Sequence, residues 1–171
     1  MADQATLVLI KPDAIKRGLT GVVLSRLDEL RLEVIGAKVV RVSRALAEEH
    51  YRNIREKPFF EETVEYLRGK RHGVASVLAF VFWGHEAVER VRQLAGATHP
   101  EQADPASIRG ALGRMTTTGL MENVLHASSD ESEAKREIAL GFRPEELVMQ
   151  PFPGSAWTSS RRGTTSAARK G

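Results

Sequence analysis

Hydrophobic and polar residues are arranged along the chain in a pattern that predicts alternating strands and helices. Four apolar segments have the composition of buried strands, at residues 5–11, 33–42, 74–83 and 123–126. Five other segments have helical patterns, at residues 21–32, 45–54, 59–67, 86–94 and 129–140. Residues 96–114 contain Pro100 and Pro105 and are predicted to be mostly loop. The order β-α-β-α-α-β-α-β-α predicts an α+β sandwich in which helices cover a four-stranded sheet.

The junction between the fourth strand and the last helix presents His126 at a position where it could meet phosphate. Ser128 and Glu131 have the S-x-x-E spacing of a capping box, which predicts the start of the helix. A helix N-terminus carries unsatisfied N–H groups and a partial positive charge, so it attracts phosphate. Glu137 could bind one imidazole nitrogen of His126 and leave the other free as a nucleophile. On spacing alone, a purely structural histidine is the more common case.

Composition and charge divide the chain into a body and a tail. The 171 residues are 42% hydrophobic, enough for one core at ordinary domain size. The net charge of +3 is uneven, because residues 151–171 contain four basic residues and no acid. That segment is also rich in Ser, Thr and Gly, which is typical of a flexible tail. We therefore expect one domain over residues 1–150 and a basic, flexible tail over residues 151–171.

Two hypotheses account for the basic tail. Its positive charges could contact nucleic acid or an acidic surface, although a solvated terminus is the simpler expectation. Trp157 is the exception in this segment, since a tryptophan in a tail often docks on a neighbouring surface.

Several classes of function are disfavoured by what the sequence lacks. The chain has no cysteine, which excludes disulfides and thiolate metal sites. It shows no secretory signal and no apolar run long enough to span a bilayer, so we expect a cytoplasmic protein without membrane contact. Neither the G-x-x-x-x-G-K-[ST] loop nor a protein-kinase signature is present. An enzyme acting on nucleotides would therefore need another way to hold the phosphates.

An ordered set of short motifs resembles the nucleoside diphosphate kinase family from about Thr6 to Val148. The most specific parts are Asn123-Val124-Leu125-His126-Ala127-Ser128 and a first strand that ends in Lys11-Pro12-Asp13. The motifs between them are, in chain order, Glu49-His50-Tyr51, Pro58-Phe59-Phe60, Arg92 with Gly96 and Thr98, and Ser107-Ile108-Arg109-Gly110. The resemblance implies a ferredoxin-like fold with a largely antiparallel sheet. It also implies ping-pong transfer of a γ-phosphate between nucleotides through a phosphohistidine on His126.

The resemblance further implies a role for each matching residue. His126 would be the nucleophile, Glu137 would orient its ring, and Lys11 would contact phosphate and the sugar 3′-hydroxyl. The nucleotide-binding residues would be Tyr51 beside the catalytic histidine, Phe59 under the base, Arg92, Thr98 and Arg109 on the phosphates, and Asn123 on the sugar. Ser128 would either bind the Glu137 carboxylate or cap the helix.

The cofactor implied by the resemblance is Mg²⁺, and the implied assembly is a homo-oligomer, either a tetramer or a hexamer. The substrates would be nucleoside tri- and diphosphates. No residue is assigned as a direct metal ligand. The histidines without ligand spacing are given no metal role, namely His50, His72, His85 and His99.

The chain departs from the family pattern in three places. Ser129 stands where the family usually has an acidic residue that helps to hold Mg²⁺ through water, and Asp130 follows one position later. Residues 115–122 form a longer segment than usual before Asn123, and we expect it to border the sugar or the base. A smaller expansion lies around residues 69–73.

Two other functions are compatible with the sequence. One is a catalytically weak regulator that binds nucleotides or nucleic acid on the same fold, and such a protein need not keep the nucleophile. The other is a histidine phosphocarrier for a protein partner, which would not need Phe59 for base stacking. The kinase is favoured because the full set of candidate residues is present.

Overall fold

The computed structural model describes residues 2–153, in which seven helices and six strands alternate. The strands are β1 (Asp3–Ile10), β2 (Glu33–Arg41), β3 (Ser76–His85), β4 (Arg114–Met115), β5 (Met121–Glu122) and β6 (Leu125–Ala127). The helices are α1 (Pro12–Lys16), α2 (Thr20–Asp28), α3 (Arg44–His50), α4 (Phe60–Leu67), α5 (Ala87–Ala95), α6 (Ile108–Leu112) and α7 (Glu131–Gly141). Single 3₁₀ turns follow α3, α5 and α7.

The main sheet has the strand order β2-β3-β1-β6, and all of its neighbouring strands are antiparallel. This confirms the predicted α+β sandwich with a four-stranded antiparallel, ferredoxin-like sheet. Side chains alternate between the two sides of a strand, so the continuous run of apolar residues in the central strand β1 makes both of its faces apolar. Leu7 and Leu9 join one core with Ile138 of α7, whereas Val8 joins a second core with Val91 of α5. Helices therefore cover both sides of β1.

Most predicted elements are present with shifted ends, and four short elements were not predicted, namely α1, α6, β4 and β5. The predicted helix over residues 21–32 ends at Asp28, and the one over residues 45–54 ends at His50. Helices α1 and α6 have only five residues each, too few for a helical period to be visible in the sequence. The hairpin of β4 and β5 has strands of two residues, so the longer segment at residues 115–122 is partly structured.

The chain stays in contact with the domain beyond residue 150. Phe152 packs against the core that contains Leu7, and the Lys135 ammonium group lies 5.8 Å from the centre of its ring. The rest of the predicted tail, including Trp157, lies outside the described residues, and the boundary at residue 150 stays a prediction. No helix in residues 2–153 is long and apolar enough to cross a membrane.

Candidate active site

The backbone that leads into β6 is strained at the residue that separates Asn123 from the candidate nucleophile. Val124 is fully buried and has a φ of 73°, and the N–H of Leu125 donates to the carbonyl of Asn123 at 2.7 Å, which makes a tight γ-turn. The buried Asp13 carboxylate accepts from the Val124 N–H at 3.1 Å and holds this conformation. Strand β6 consequently begins at Leu125, two residues later than predicted. Strain of this kind is concentrated at functional sites.

His126 is held by Glu137 as the sequence predicts. Its Nε2 lies 3.0 Å from both carboxylate oxygens of Glu137. Burial alone would raise the pKa of Glu137, but the charge and hydrogen bond of His126 outweigh it and lower that pKa to about 2. An ionised carboxylate can only accept, so Nε2 carries a proton, and in the neutral form of the ring Nδ1 keeps the lone pair. In residues 2–153, no hydrogen bond occupies Nδ1, and the side chain remains 17% exposed.

Ser128 binds the Glu137 carboxylate and does not cap the helix. Its hydroxyl donates to Glu137 Oε2 at 2.6 Å and accepts from the backbone N–H of Leu7 at 3.1 Å. The predicted Ser128–Glu131 capping box is therefore wrong. Helix α7 starts at Glu131 and is capped by Asp130, whose Oδ1 accepts from the N–H of Glu133 at 2.9 Å. The sequence contained the signal for this cap as well, because Asp130 and Glu133 have the same spacing as Ser128 and Glu131.

Lys11 and Asn123 form the second part of the site. The Lys11 ammonium group donates to Asn123 Oδ1 at 2.7 Å, and the Asn123 amide donates to the carbonyl of Thr98 at 3.0 Å. Burial and then the charge of Arg109 lower the pKa of Lys11 to about 7, although Asp13 partly opposes the shift. Lys11 can therefore gain or lose a proton near neutral pH, and its partner Asn123 is a neutral acceptor.

Arg109 is buried and is anchored by backbone carbonyls. Its guanidinium donates to the carbonyls of Gly96 at 2.7 Å and Leu125 at 3.0 Å, and its Nε has no partner among residues 2–153. Burial, together with the charge of Arg92, lowers its pKa to about 10. Ser107 caps α6 and fixes the start of this helix. Gly96 is needed nearby because its φ is 82° and an added Cβ would lie 2.2 Å from Ser107 Oγ.

The other predicted site residues are distributed as follows. Tyr51 lies edge-on to His126 with 6.5 Å between ring centres, and burial raises the pKa of its hydroxyl. Arg92 and Thr98 are exposed beside Arg109 and Asn123, at and after the end of α5. Phe59 is 50% exposed just before α4, and in residues 2–153 no ring contact or hydrogen bond joins its side chain to the rest of the set. Phe60 packs against the core.

His50 was given no part in the site, but the structure brings it into contact with the candidate nucleophile. Its ring centre lies 4.5 Å from that of His126, and both ring planes meet nearly at right angles. Burial, and then the charge of His126, lower the pKa of His50 to about 3. Arg136 of α7 holds the end of α3 beside the site by donating to the carbonyls of Glu49 and His50 at 2.9 and 3.0 Å. Sequence spacing could not reveal this neighbour, because α3 and β6 meet only in the folded chain.

The two expansions of the sequence meet next to Asn123. His72, in the segment 69–73, lies 2.9 Å from Glu122, and both side chains are about as buried as the core. Arg114 donates to the other carboxylate oxygen of Glu122 at 2.6 Å. Because Glu122 directly precedes Asn123, this network fixes the hairpin against the site. The sequence showed the two expansions but gave no indication that they touch.

Comparisons with known proteins by sequence and by structure identify the same family. The family model for nucleoside diphosphate kinase matches residues 4–147. A nucleoside diphosphate kinase of Pyrococcus horikoshii is 44% identical over 148 residues, which cover 86% of this chain and 90% of that protein. A nucleoside diphosphate kinase of Thermus thermophilus is 43% identical over 145 residues, which cover 85% of this chain and 99% of that protein.

Solved structures of nucleoside diphosphate kinases superpose on the chain over most of its length. That of Halobacterium salinarum in complex with CDP has a TM-score of 0.78 and 39% identity, with 91% of this chain and 98% of that chain covered. A transition-state mimic of the Borrelia burgdorferi protein, with bound vanadate and ADP, has a TM-score of 0.77 and 33% identity, with coverage of 88% and 94%.

Proposed function

Because the chain belongs to the nucleoside diphosphate kinase family, we propose that His126 is the residue that carries the phosphoryl group in its reaction. The chain is a nucleoside diphosphate kinase, a phosphotransferase that moves the γ-phosphate of a nucleoside triphosphate to a nucleoside diphosphate. The observation that supports this role for His126 is the pair of 3.0 Å contacts between its Nε2 and Glu137, which leave Nδ1 as the free nucleophilic nitrogen.

In the first half-reaction, Nδ1 of His126 attacks the γ-phosphorus, the bond to the bridging oxygen breaks, and the nucleoside diphosphate leaves with the electron pair. The imidazole ring becomes positively charged as the N–P bond forms. The Glu137 carboxylate, 3.0 Å from Nε2, stabilises that charge without taking the proton. The second half-reaction reverses these steps with a different nucleoside diphosphate as acceptor, so that the phosphate is transferred in a ping-pong sequence.

The phosphates are held by cationic side chains. Arg109 and Arg92 would bind the diphosphate through their planar donors, and Thr98 would add a hydroxyl contact. Lys11 would bind phosphate and, with Asn123, the sugar 3′-hydroxyl, since these two side chains are already joined at 2.7 Å. Tyr51 would support the ring of His126.

Phe59 would stack on the base. An aromatic platform accepts every base by its π-face, so it would tolerate purines and pyrimidines alike. Its 50% exposure leaves ring surface free for this contact.

Mg²⁺ is the cofactor we infer. The donor chemistry fits this ion, because Mg²⁺ is commonly bound by one or two carboxylates together with substrate phosphates and water. Asp130 is the carboxylate available: it is exposed, and hydrogen bonds from Glu133 and Ser129 lower its pKa, so it is ionised. A bound Mg²⁺ would neutralise charge on the β- and γ-phosphates.

We further propose that the chain works in the cytoplasm as a homo-oligomer, a tetramer or a hexamer, as its family resemblance implies. Analytical ultracentrifugation of the full chain distinguishes these two assemblies from each other and from a monomer.

The experiment for the role of His126 is phosphoryl transfer in two stages. The protein is incubated with γ-labelled ATP and Mg²⁺ and then chased with GDP, and His126→Gln is treated in parallel. We expect an acid-labile, alkali-stable label on the wild type that moves to GTP, and no label on His126→Gln. A matched His99→Gln variant should label normally. Label retained by His126→Gln would refute the proposal.

A further inference from the structure

We propose that His50, His126 and Glu137 form a binding site for a borderline-soft divalent cation of the Zn²⁺ type, and that occupation of this site inactivates the nucleophile. One ligand atom from each of the three side chains lies within 4.8 Å of the other two. A tetrahedral Zn²⁺ site with bonds of about 2.0–2.1 Å requires ligand atoms roughly 3.4 Å apart. Nε2 of His126 and the carboxylate oxygens are already 3.0 Å apart, so chiefly His50 has to move.

The strongest sign of a ligand is the unused nitrogen of His50. This side chain is only 5% exposed, and in the described part of the chain its buried Nε2 has no hydrogen-bond partner. A buried N–H left without an acceptor would be costly, so Nε2 is better described as the atom that carries the lone pair. The lone pair of this buried nitrogen is therefore available to a metal ion.

There is room for the small movement that the site requires. A cavity of about 30 Å³ lies against His50 and Glu137, and apolar residues of the core form most of its wall. The cavity thus borders two of the three proposed ligands and leaves space beside the His50 ring. Two imidazoles and a carboxylate suit Zn²⁺ but not Mg²⁺, which prefers oxygen ligands. The Mg²⁺ used in the kinase reaction would consequently not compete for this site.

Positively charged side chains near the site limit its affinity for a cation, but each of them is engaged with other groups. Arg136 is paired with Glu133 at 2.6 Å, and Arg109 is occupied by backbone carbonyls. Lys11 is bound to the Asn123 amide and loses its proton near pH 7. The anion that directly faces the ion is Glu137.

Occupation of the site would change the tautomer of His126. When Zn²⁺ takes the electron pair of Nε2, the proton that this nitrogen carried moves to Nδ1 through solvent, and the ring stays neutral. Nδ1 then has no lone pair to attack phosphorus. The inhibition thus rests on the role of His126 proposed above, whereas the binding of the ion does not.

Binding is measured first, without nucleotide. The full-length protein, freed of metal with a chelator, is titrated with Zn²⁺ against a chromophoric zinc indicator. We expect one Zn²⁺ per chain, with affinity at least tenfold weaker in His50→Asn and in His126→Gln. His72→Gln, which alters another buried histidine beside a glutamate, should bind like the wild type. No binding by the wild type, or unchanged affinity in His50→Asn, would overturn the proposal.

A second measurement uses only the wild-type protein, so its result does not depend on whether a variant folds. Co²⁺ is added to the wild type in place of Zn²⁺, and the visible spectrum is recorded. We expect the intense bands of four-coordinate Co²⁺, and they should disappear when one equivalent of Zn²⁺ is added. Weak bands typical of six-coordinate Co²⁺ would contradict the site, whatever the outcome of the phosphoryl-transfer experiment.

Discussion

Removing the Ser128 hydroxyl tests whether the site is held together as the hydrogen bonds indicate. Ser128 is fully buried and joins two elements, since its hydroxyl donates to Glu137 of α7 and accepts from Leu7 of β1. In Ser128→Ala, Glu137 loses a charge-assisted bond and the Leu7 N–H is left without a side-chain acceptor. We expect the variant to fold with a less ordered Glu137 and a pKa of that carboxyl group above its wild-type value.

The size of the effect follows from the two contacts. A hydrogen bond to a charged group contributes about 1.5–3 kcal/mol, and an unpaired buried N–H costs about 1–3 kcal/mol. Because these losses overlap and the backbone can relax, we expect a decrease of about 2–4 kcal/mol in the free energy of unfolding. For a chain of this size, that corresponds to a fall in Tm of about 4–16 °C.

The assay is urea unfolding at one protein concentration, with Ser129→Ala as the matched control. Ser129 is exposed, and its hydroxyl bonds only to Asp130 at 2.9 Å, so its removal should change stability by less than about 0.5 kcal/mol. A Ser128→Ala variant no less stable than Ser129→Ala would refute the reasoning. It would mean that the carboxylate is oriented by His126 alone.

Three further predictions concern proton uptake, backbone conformation and the hairpin. The pKa of Lys11 is about 7 in place of 10.5, so phosphate binding at pH 8 should draw a proton onto this side chain. Calorimetry of ADP binding in buffers of different ionisation enthalpy should detect this proton uptake, and Lys11→Gln should abolish it. Gly96→Ala should destabilise the chain by at least about 2 kcal/mol more than Gly119→Ala, measured by thermal unfolding, because both have positive φ but only Gly96 meets a neighbour. His72→Gln should lower the free energy of unfolding by about 1–3 kcal/mol in the same assay, because Glu122 then loses a buried partner. The variant should also raise KM for nucleotides more than it lowers kcat, and equal changes in both constants would contradict a role for the hairpin in nucleotide binding.

The Lys11 shift also sets the sign of a pH effect on stability. Between about pH 7 and 10.5 the unfolded chain binds this proton and the folded chain does not, so the contribution of Lys11 to stability rises with pH in that window. Below pH 7 both states are protonated, and the folded state bears the full cost of a buried charge. Lys11→Gln should remove this part of the pH dependence in urea titrations.

The parts of the fold that were predicted from the sequence are those with strong local patterns. The all-apolar run of β1 and the amphipathic α5 are visible because a strand or helix of eight or more residues imposes its period on the sequence. The pairing of His126 with Glu137 was also predictable, because they lie eleven positions apart on a strand and the helix that follows it. The cap was misplaced because Ser128 and Asp130 both have a glutamate three positions later, and burial decides between them.

What the sequence could not reveal depends on contacts between distant segments. His50 lies at the end of α3, which Arg136 of α7 ties to the site. Glu122 and His72 are fifty positions apart, and no sequence pattern links the two. Such pairs carry no periodic signal, since each is one side chain meeting another across the core.

The charges of the site favour a polyanionic ligand over a structural role. Lys11 and Arg109 are both buried, and burial lowers the pKa of each, which means that the folded chain bears part of the cost of their charge. Their hydrogen-bond partners are an amide and two backbone carbonyls, and none of these is anionic. A structural ion pair would have placed a carboxylate against them, as Glu122 is placed against Arg114. A bound di- or triphosphate would supply negative charge beside both side chains and return both pKa values toward normal, so substrate binding would recover part of the cost of burying these two cations.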